Sequence, residues 1–230
     1  MQSGNAINLR IVEKVALTLQ ELNDEVIYVG GAVISLYVTD QGAELPRPTK
    51  DIDISVQVST YSQMEQLRIK LAAKNIYPAP TETVMYRYSF GDITIDFIPF
   101  EATPLGPTNR WLKPGFRKAY PVKIGDATIK ILPASLFLAT KWEAHKNRGG
   151  DPRTSHDFED IIYVIDNNIE IVQDIKHTEK DVQEFLKSMS IEILSHSSMN
   201  EIIECHLNPY TMEERSKFII SKLEEISGLE

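Results

Sequence analysis

The stretch Asp51-Ile52-Asp53-Ile54-Ser55-Val56 alternates polar with β-branched apolar residues without a break. Successive side chains of a strand point to opposite faces, so Ile52, Ile54 and Val56 belong on a buried face, and Asp51, Asp53 and Ser55 share the other. Aspartate is disfavoured in strands, so two in one short strand need a reason. A second such strand follows, with Asp96 set in Ile95-Asp96-Phe97-Ile98. The chain therefore has to build a sheet that carries carboxylates on apolar strands. One bland account is a solvated strand face. Another is a calcium loop, which fails because such loops put polar, turn-forming residues between the acids and here isoleucine fills the gap.

The flanking sequence supplies the rest of the sheet and its cover. Asn5 to Leu22 has helical spacing through Ile7, Ile11, Val15, Leu17, Leu19 and Leu22. Val26–Val29 is a β-branched run stopped by Gly30-Gly31, and Ala32–Val38 reads as a short helix. Residues 39–50, with Gly42, Pro46 and Pro48, form a loop. Asp51–Val58 is the acidic strand and Tyr61–Asn75 a helix. Val84–Phe90 and Ile93–Phe100 are strands joined by Gly91-Asp92, a strong hairpin signal. A second strand pair, 119–124 and 127–131, flanks Gly125-Asp126. Pro133 suits the first turn of a helix reaching about Asn147. Ser155–Asn167 is another helix, and the rest is helical, with breaks at Ser195–Ser198 and Asn208-Pro209. The expected fold is α/β (α+β): a small, mixed, twisted sheet flanked by helices over 1–132, then a helical domain over 133–230.

Charge narrows the function. The net charge is −9, and residues 167–230 hold 6 basic and 13 acidic side chains, which leaves the first 166 residues near neutral. Such a chain is not an obvious non-specific nucleic-acid binder. One cysteine, Cys205, excludes an intramolecular disulfide framework. No apolar run is long enough to span a bilayer and no secretory leader is evident, so a cytoplasmic protein without a membrane partner is expected.

Carboxylates two apart on one strand make a rigid oxygen pair, which suits a hard divalent cation. Magnesium takes one or two carboxylates plus substrate phosphates. With Asp96 on a neighbouring strand, three acids holding two metal ions would serve in-line phosphoryl transfer. Gly30-Gly31, between a strand and a helix, permits close approach of a phosphate to the backbone, with Ser35 one turn on. A tight strand-to-helix turn explains the glycines equally well.

Taken together, Val29-Gly30-Gly31, Arg47-Pro48-Thr49-Lys50-Asp51-Ile52-Asp53-Ile54 and Ile95-Asp96-Phe97 resemble the signature of the polymerase-β nucleotidyltransferase superfamily. Within it the chain resembles AbiEii-like toxins and related small bacterial nucleotidyltransferases, over roughly 26–165. The resemblance implies two Mg2+ ions on Asp51, Asp53 and Asp96, with Asp96 helping to deprotonate the acceptor hydroxyl. It implies a nucleoside triphosphate (ATP, GTP or CTP) held by Gly30, Gly31, Ser35, Thr49, Lys50, Lys141 and Asp157. The subgroup also carries a helix lysine and an Asp-rich helix start, here Lys141 in Leu138-Ala139-Thr140-Lys141-Trp142 and Asp157 and Asp160 in His156-Asp157-Phe158-Glu159-Asp160. Lys141, His145 and Arg148 share a helix face; for His145 and Arg148 a solvated basic helix end is the simpler reading. The spacer 32–50 is longer than the family's usual one, the extra residues falling in the Pro/Gly-rich loop.

Residues 102–125 contain Arg110, Lys113, Arg117, Lys118 and Lys123 and no acid before Gly125, interleaved with Trp111, Phe116 and Tyr120. A basic loop with aromatics can follow a phosphate backbone, so Arg110, Arg117 and Lys118 are candidates for an RNA acceptor such as tRNA. A self-packed surface loop is the alternative. The activity implied by the resemblance is transfer of a nucleoside monophosphate to an acceptor hydroxyl, in a toxin–antitoxin setting with an antitoxin protein as partner. The alternatives are a non-catalytic nucleotide-binding module and a small-molecule adenylyltransferase of the antibiotic-modifying kind.

Overall fold

A computed structural model of the chain describes residues 3–49, 51–80, 84–101, 103–107 and 109–229, with side chains from residue 8 onward. Contacts divide it into two compact units, Met1–Ser35 with Leu45–Pro133, and Leu36–Glu44 with Ala134–Glu230. Among the described residues, no helix is long and apolar enough to cross a membrane.

The first unit holds a seven-stranded mixed sheet. Its strands are β1 (Val26–Val29), β2 (Asp51–Val56), β3 (Tyr77–Pro78), β4 (Arg87–Phe90), β5 (Ile93–Pro99), β6 (Tyr120–Ile124) and β7 (Ala127–Ile131), in the order β3-β4-β5-β2-β1-β7-β6. β2 runs parallel to β5 and antiparallel to β1, and β1 runs parallel to β7. All four residues of β1 are buried, as a short apolar run in mid-sheet requires. Helix α1 (Ser3–Leu19) lies against β7 and buries Val12, Val15, Ala16 and Leu19. Burying one such side chain stabilises by about 1.5–3 kcal/mol. Leu17, expected on the apolar stripe, is half exposed, because the stripe runs through 12, 15, 16 and 19 instead. The α-helix also ends before Leu22, with Gln20 at φ 53 opening a 3-10 turn, Gln20–Glu25. Helix α2 (Tyr61–Ala72) starts in a capping box in which the Thr60 hydroxyl accepts from the Gln63 amide and the Gln63 side chain accepts from the Thr60 amide.

Two local expectations need correction. The segment 31–37 is a 3-10 helix, Gly31–Tyr37, that buries Ala32, Val33 and Ile34. The basic stretch expected as a loop contains helix α3 (Leu112–Lys118). Pro114 falls in its first turn, where the missing N–H has no intrahelical acceptor to lose.

The second unit is helical: α4 (Ala134–Arg148), α5 (His156–Asn167), α6 (Ile171–Lys176), α7 (Lys180–Leu194), α8 (Met199–Glu204) and α9 (Met212–Ser227). α4 packs on α5 and α7, and α7 on α9. The Ser155 hydroxyl caps α5 by accepting from the Phe158 amide. Residues 36–44 join this unit through the Thr39 and Asp40 amides, both donating to the Asn167 carbonyl at 3.0 Å, and through the Tyr37 ring, 4.4 Å from that of Phe137. Arg215 ties them further, donating to Asp40 at 3.1 Å and pairing with Asp166 at 2.7 Å. Burial raises the Asp166 carboxyl above its ordinary value against the pull of Arg215. At the end of α5, the buried Lys222 ammonium donates to the carbonyls of Ile165, Asp166 and Asn168 at 2.6, 3.2 and 2.9 Å.

Candidate active site

The acidic face is built from strand register. In the parallel β2–β5 pair Asp53 stands opposite Asp96 and Asp51 opposite Thr94. On the other side of β2, Asp53 stands opposite Val29, the last residue of β1. Ile52 and Ile54 are buried at 1% and 0% exposure, while Asp51 is exposed and Asp53 half-buried. The alternation therefore divides the two faces where the acids sit. Ser55 departs from it: its hydroxyl is buried and donates to the Ile98 carbonyl at 3.1 Å.

Gly30 follows β1 directly, with φ +73. A Cβ there would lie 1.9 Å from Asp53 Oδ2. Only glycine takes this backbone conformation readily while letting the turn lie against the carboxylate. Gly31 opens the 3-10 helix, and Ser35 in that helix is buried, its Oγ without a hydrogen-bond partner among the described residues.

The segment preceding the acids is held from α1. Asn8, 1% exposed, donates its side-chain amide to the Arg47 carbonyl and accepts from the Thr49 amide, both at 3.1 Å. The Thr49 hydroxyl lies within 3.4 Å of the Asp51 backbone amide, as an acceptor. Lys50 lies outside the described residues. The sequence reading did not single out Asn8, since a polar residue in the first turns of a helix gives no signal of its distant partner.

Asp96 is the most enclosed of the three acids, at 7% exposure. Arg87 on β4, directly opposite it in the β4–β5 hairpin, donates through Nε and one terminal nitrogen to the two carboxylate oxygens at 2.8 Å each. This is the bidentate fork that makes arginine–carboxylate pairs strong. Among the described residues no group of three or more His, Cys, Asp or Glu side chains is arranged to hold a metal ion. The oxygen chemistry and shared face of Asp51 and Asp53 fit a hard divalent cation. Asp96 has both oxygens engaged by Arg87.

In the helical unit Lys141 is 8% exposed and pairs with Asp160 at 2.7 Å and Asp157 at 3.3 Å. Arg148 meets the other oxygen of Asp157 at 2.5 Å, with its own side chain 71% exposed. His145 is not part of a solvated helix end. It is buried between Trp142 and Phe158, ring centroids 5.4 and 5.5 Å away, with Nδ1 2.8 Å from Ser155 Oγ. Burial lowers its pKa from the ordinary 6.5, with Asp157 opposing and Lys146 assisting.

The basic stretch is likewise more packed than the sequence suggested. Trp111 is buried, with the Arg110 guanidinium 4.8 Å from its ring centroid. Phe116 meets Phe100 edge-on at 5.4 Å, and Lys113 pairs with Glu101. Arg117 and Lys118, in the last turn of α3, are exposed, and Tyr120 is 40% exposed. Trp111 therefore belongs to the core and is not offered as a stacking platform.

No family model matches the chain. No curated protein matches it either. Among solved structures, the chain is similar to an antigenic nucleotidyltransferase-like protein from Paracoccidioides brasiliensis, with 14% identity, a TM-score of 0.48, and coverage of 91% of this chain and 97% of that one.

Proposed function

We propose that this chain is a nucleotidyltransferase that moves a nucleoside monophosphate from a nucleoside triphosphate to an acceptor hydroxyl. The observation that carries the reading is the strand register: Asp51 and Asp53 lie two apart on β2, Asp96 stands opposite Asp53 on β5, and Gly30 lies against Asp53. Strand backbones fix these separations before any ligand arrives, which is the pre-organisation that charge stabilisation in phosphoryl transfer needs.

In this reading Asp51 and Asp53 hold a divalent cation, with magnesium the natural occupant of an all-oxygen site completed by phosphates. The cation would supply charge neutralisation for the triphosphate and a more acidic acceptor hydroxyl. Gly30 and Gly31 let the chain pass close to phosphate oxygens, and the Thr49 hydroxyl sits at the start of β2. Asn8 keeps the Arg47–Thr49 segment, and with it the start of β2, in place. Arg117 and Lys118 favour an RNA acceptor over a cationic small molecule, because exposed positive charge repels the latter. A toxin role and an antitoxin partner follow from the resemblance to AbiEii-like proteins and rest on it alone.

The test is a labelling assay with four α-labelled nucleoside triphosphates, magnesium and total RNA, run beside an Asp51→Asn/Asp53→Asn protein. The expected result is label in RNA with the native protein and none with the variant. Triphosphate binding without label in any acceptor would convert the reading to a non-catalytic binding module. Absence of both label and binding would end the nucleotidyltransferase reading.

A further inference from the structure

We infer that Arg87 is an internal counter-ion that competes with a divalent cation for Asp96, so that the third carboxylate becomes a ligand only when Arg87 lets go. The inference rests on the cation site proposed above. Three acids on neighbouring strands, one of them 7% exposed, repel one another unless positive charge lies close by. The chain supplies the positive charge itself: hairpin register sets Arg87 beside Asp96, and the guanidinium engages both oxygens at 2.8 Å.

A carboxylate held by both oxygens is a poor magnesium ligand. Magnesium demands near-octahedral geometry, and a guanidinium beside it adds repulsion. The two partners also differ in access to water. The Asp96 side chain is 9% exposed and that of Arg87 is 29% exposed, so Arg87 is the one that can swing out into solvent. Asp96 stays where β5 holds it, opposite Asp53. Asp51 and Asp53 then form the standing part of the site and Asp96 the gated part.

The experiment is a Mn2+ titration of the full chain, read by electron paramagnetic resonance of the free ion, which needs no catalysis. Mn2+ is chosen because it shares magnesium's preference for oxygen ligands. Arg87→Met should tighten Mn2+ binding at least ten-fold, and Arg87→Lys by less, since an ammonium keeps the positive charge but lacks the planar fork that matches both oxygens. The gain should vanish when Asp96→Asn is added, a non-additivity that a general loss of positive charge would not produce.

Unchanged or weaker Mn2+ binding in Arg87→Met overturns the inference, as does a gain that survives in the Asp96→Asn background. If Arg87→Met does not unfold cooperatively, Arg87→Lys carries the test, and an affinity equal to native overturns the inference. Failure of this inference and of the site are distinguishable: native binding that ignores Arg87 removes only the counter-ion role. If neither the native chain nor any Arg87 variant binds Mn2+, the cation site and the counter-ion role fall together.

Discussion

In the sheet unit a buried carboxylate, Asp96, is met by one arginine from the adjacent strand; in the helical unit a buried ammonium, Lys141, is met by two carboxylates of one helix. The first arrangement is set by backbone pairing. Arg87 and Asp96 face each other because their strands are hydrogen-bonded in that register, and the arginine keeps a path to water. The second is set by side-chain packing. Asp157 and Asp160 are three apart on α5, hence on one face of that helix, and Lys141 reaches them from α4. All three groups of that cluster are at least nine-tenths buried, so its charges depend on one another for solvation. In the sheet pair one partner, Arg87, therefore keeps contact with solvent, whereas Lys141, Asp157 and Asp160 are all enclosed.

The largest expected effect tests the helical side of this contrast. Lys141→Met leaves Asp160 buried without its cation and should cost about 3–5 kcal/mol of stability in chemical denaturation. Adding Asp160→Asn should return part of that loss. A cost below about 1 kcal/mol would show that the cluster behaves like a surface pair and would dissolve the contrast.

The next effect belongs to the sheet and separates placement from stability. Gly30→Ala and Gly91→Ala both put a side chain at positive φ, +73 and +62. Each should lose about 1–2 kcal/mol in denaturation. At Gly91 a Cβ meets nothing within 4 Å, whereas at Gly30 it meets Asp53. Gly30→Ala should therefore also lose on the order of 100-fold in label transfer, the usual consequence of an ångström-scale misplacement, while Gly91→Ala keeps its activity. Equal activities in the two variants would remove Gly30 from the site.

The smallest effect is a pH dependence of the helical unit. Burial lowers the folded-state pKa of His145 below 6.5, so above that pH the group contributes no penalty. As pH falls through 6.5 the unfolded chain takes up a proton that the buried ring refuses, and stability drops until the folded pKa is reached. The denaturation midpoint of the native protein should fall more steeply between about pH 7 and pH 5 than that of His145→Gln, the imidazole of unfolded chains titrating near 6.5. Parallel profiles would mean that the ring is protonated in place, with Asp157 outweighing burial.

Much of the sheet was legible because its signals are local. The period-two pattern of 51–56 assigned Ile52 and Ile54 to the core and Asp51 and Asp53 to the other face, and the structure has them so. Gly91-Asp92 announced a hairpin, and a two-residue turn pairs Phe90 with Ile93, which carries Arg87 onto Asp96. That pairing was already readable in the sequence, although only the acids drew notice. Ser155 marked the start of α5 in the same local way.

What the sequence by itself determined is the content and facing of each element: acids on strands, glycine at the β1 exit, caps and hairpin turns. These depend on neighbours within a few residues, where sterics and hydrogen bonding act without the rest of the chain. Tertiary structure alone decided the rest. The parallel pairing of β2 with β5 brings Asp53 to Asp96, the Asn8 amide clamps the Arg47–Thr49 backbone from about forty residues away, and residues 36–44 join the helical unit. Burial of Lys141 and His145 belongs to the same class, because a charged helix face looks alike in sequence whether water or another helix covers it. Non-local contacts are chosen by which apolar surfaces can close on one another, and that choice is made by the folded chain as a whole.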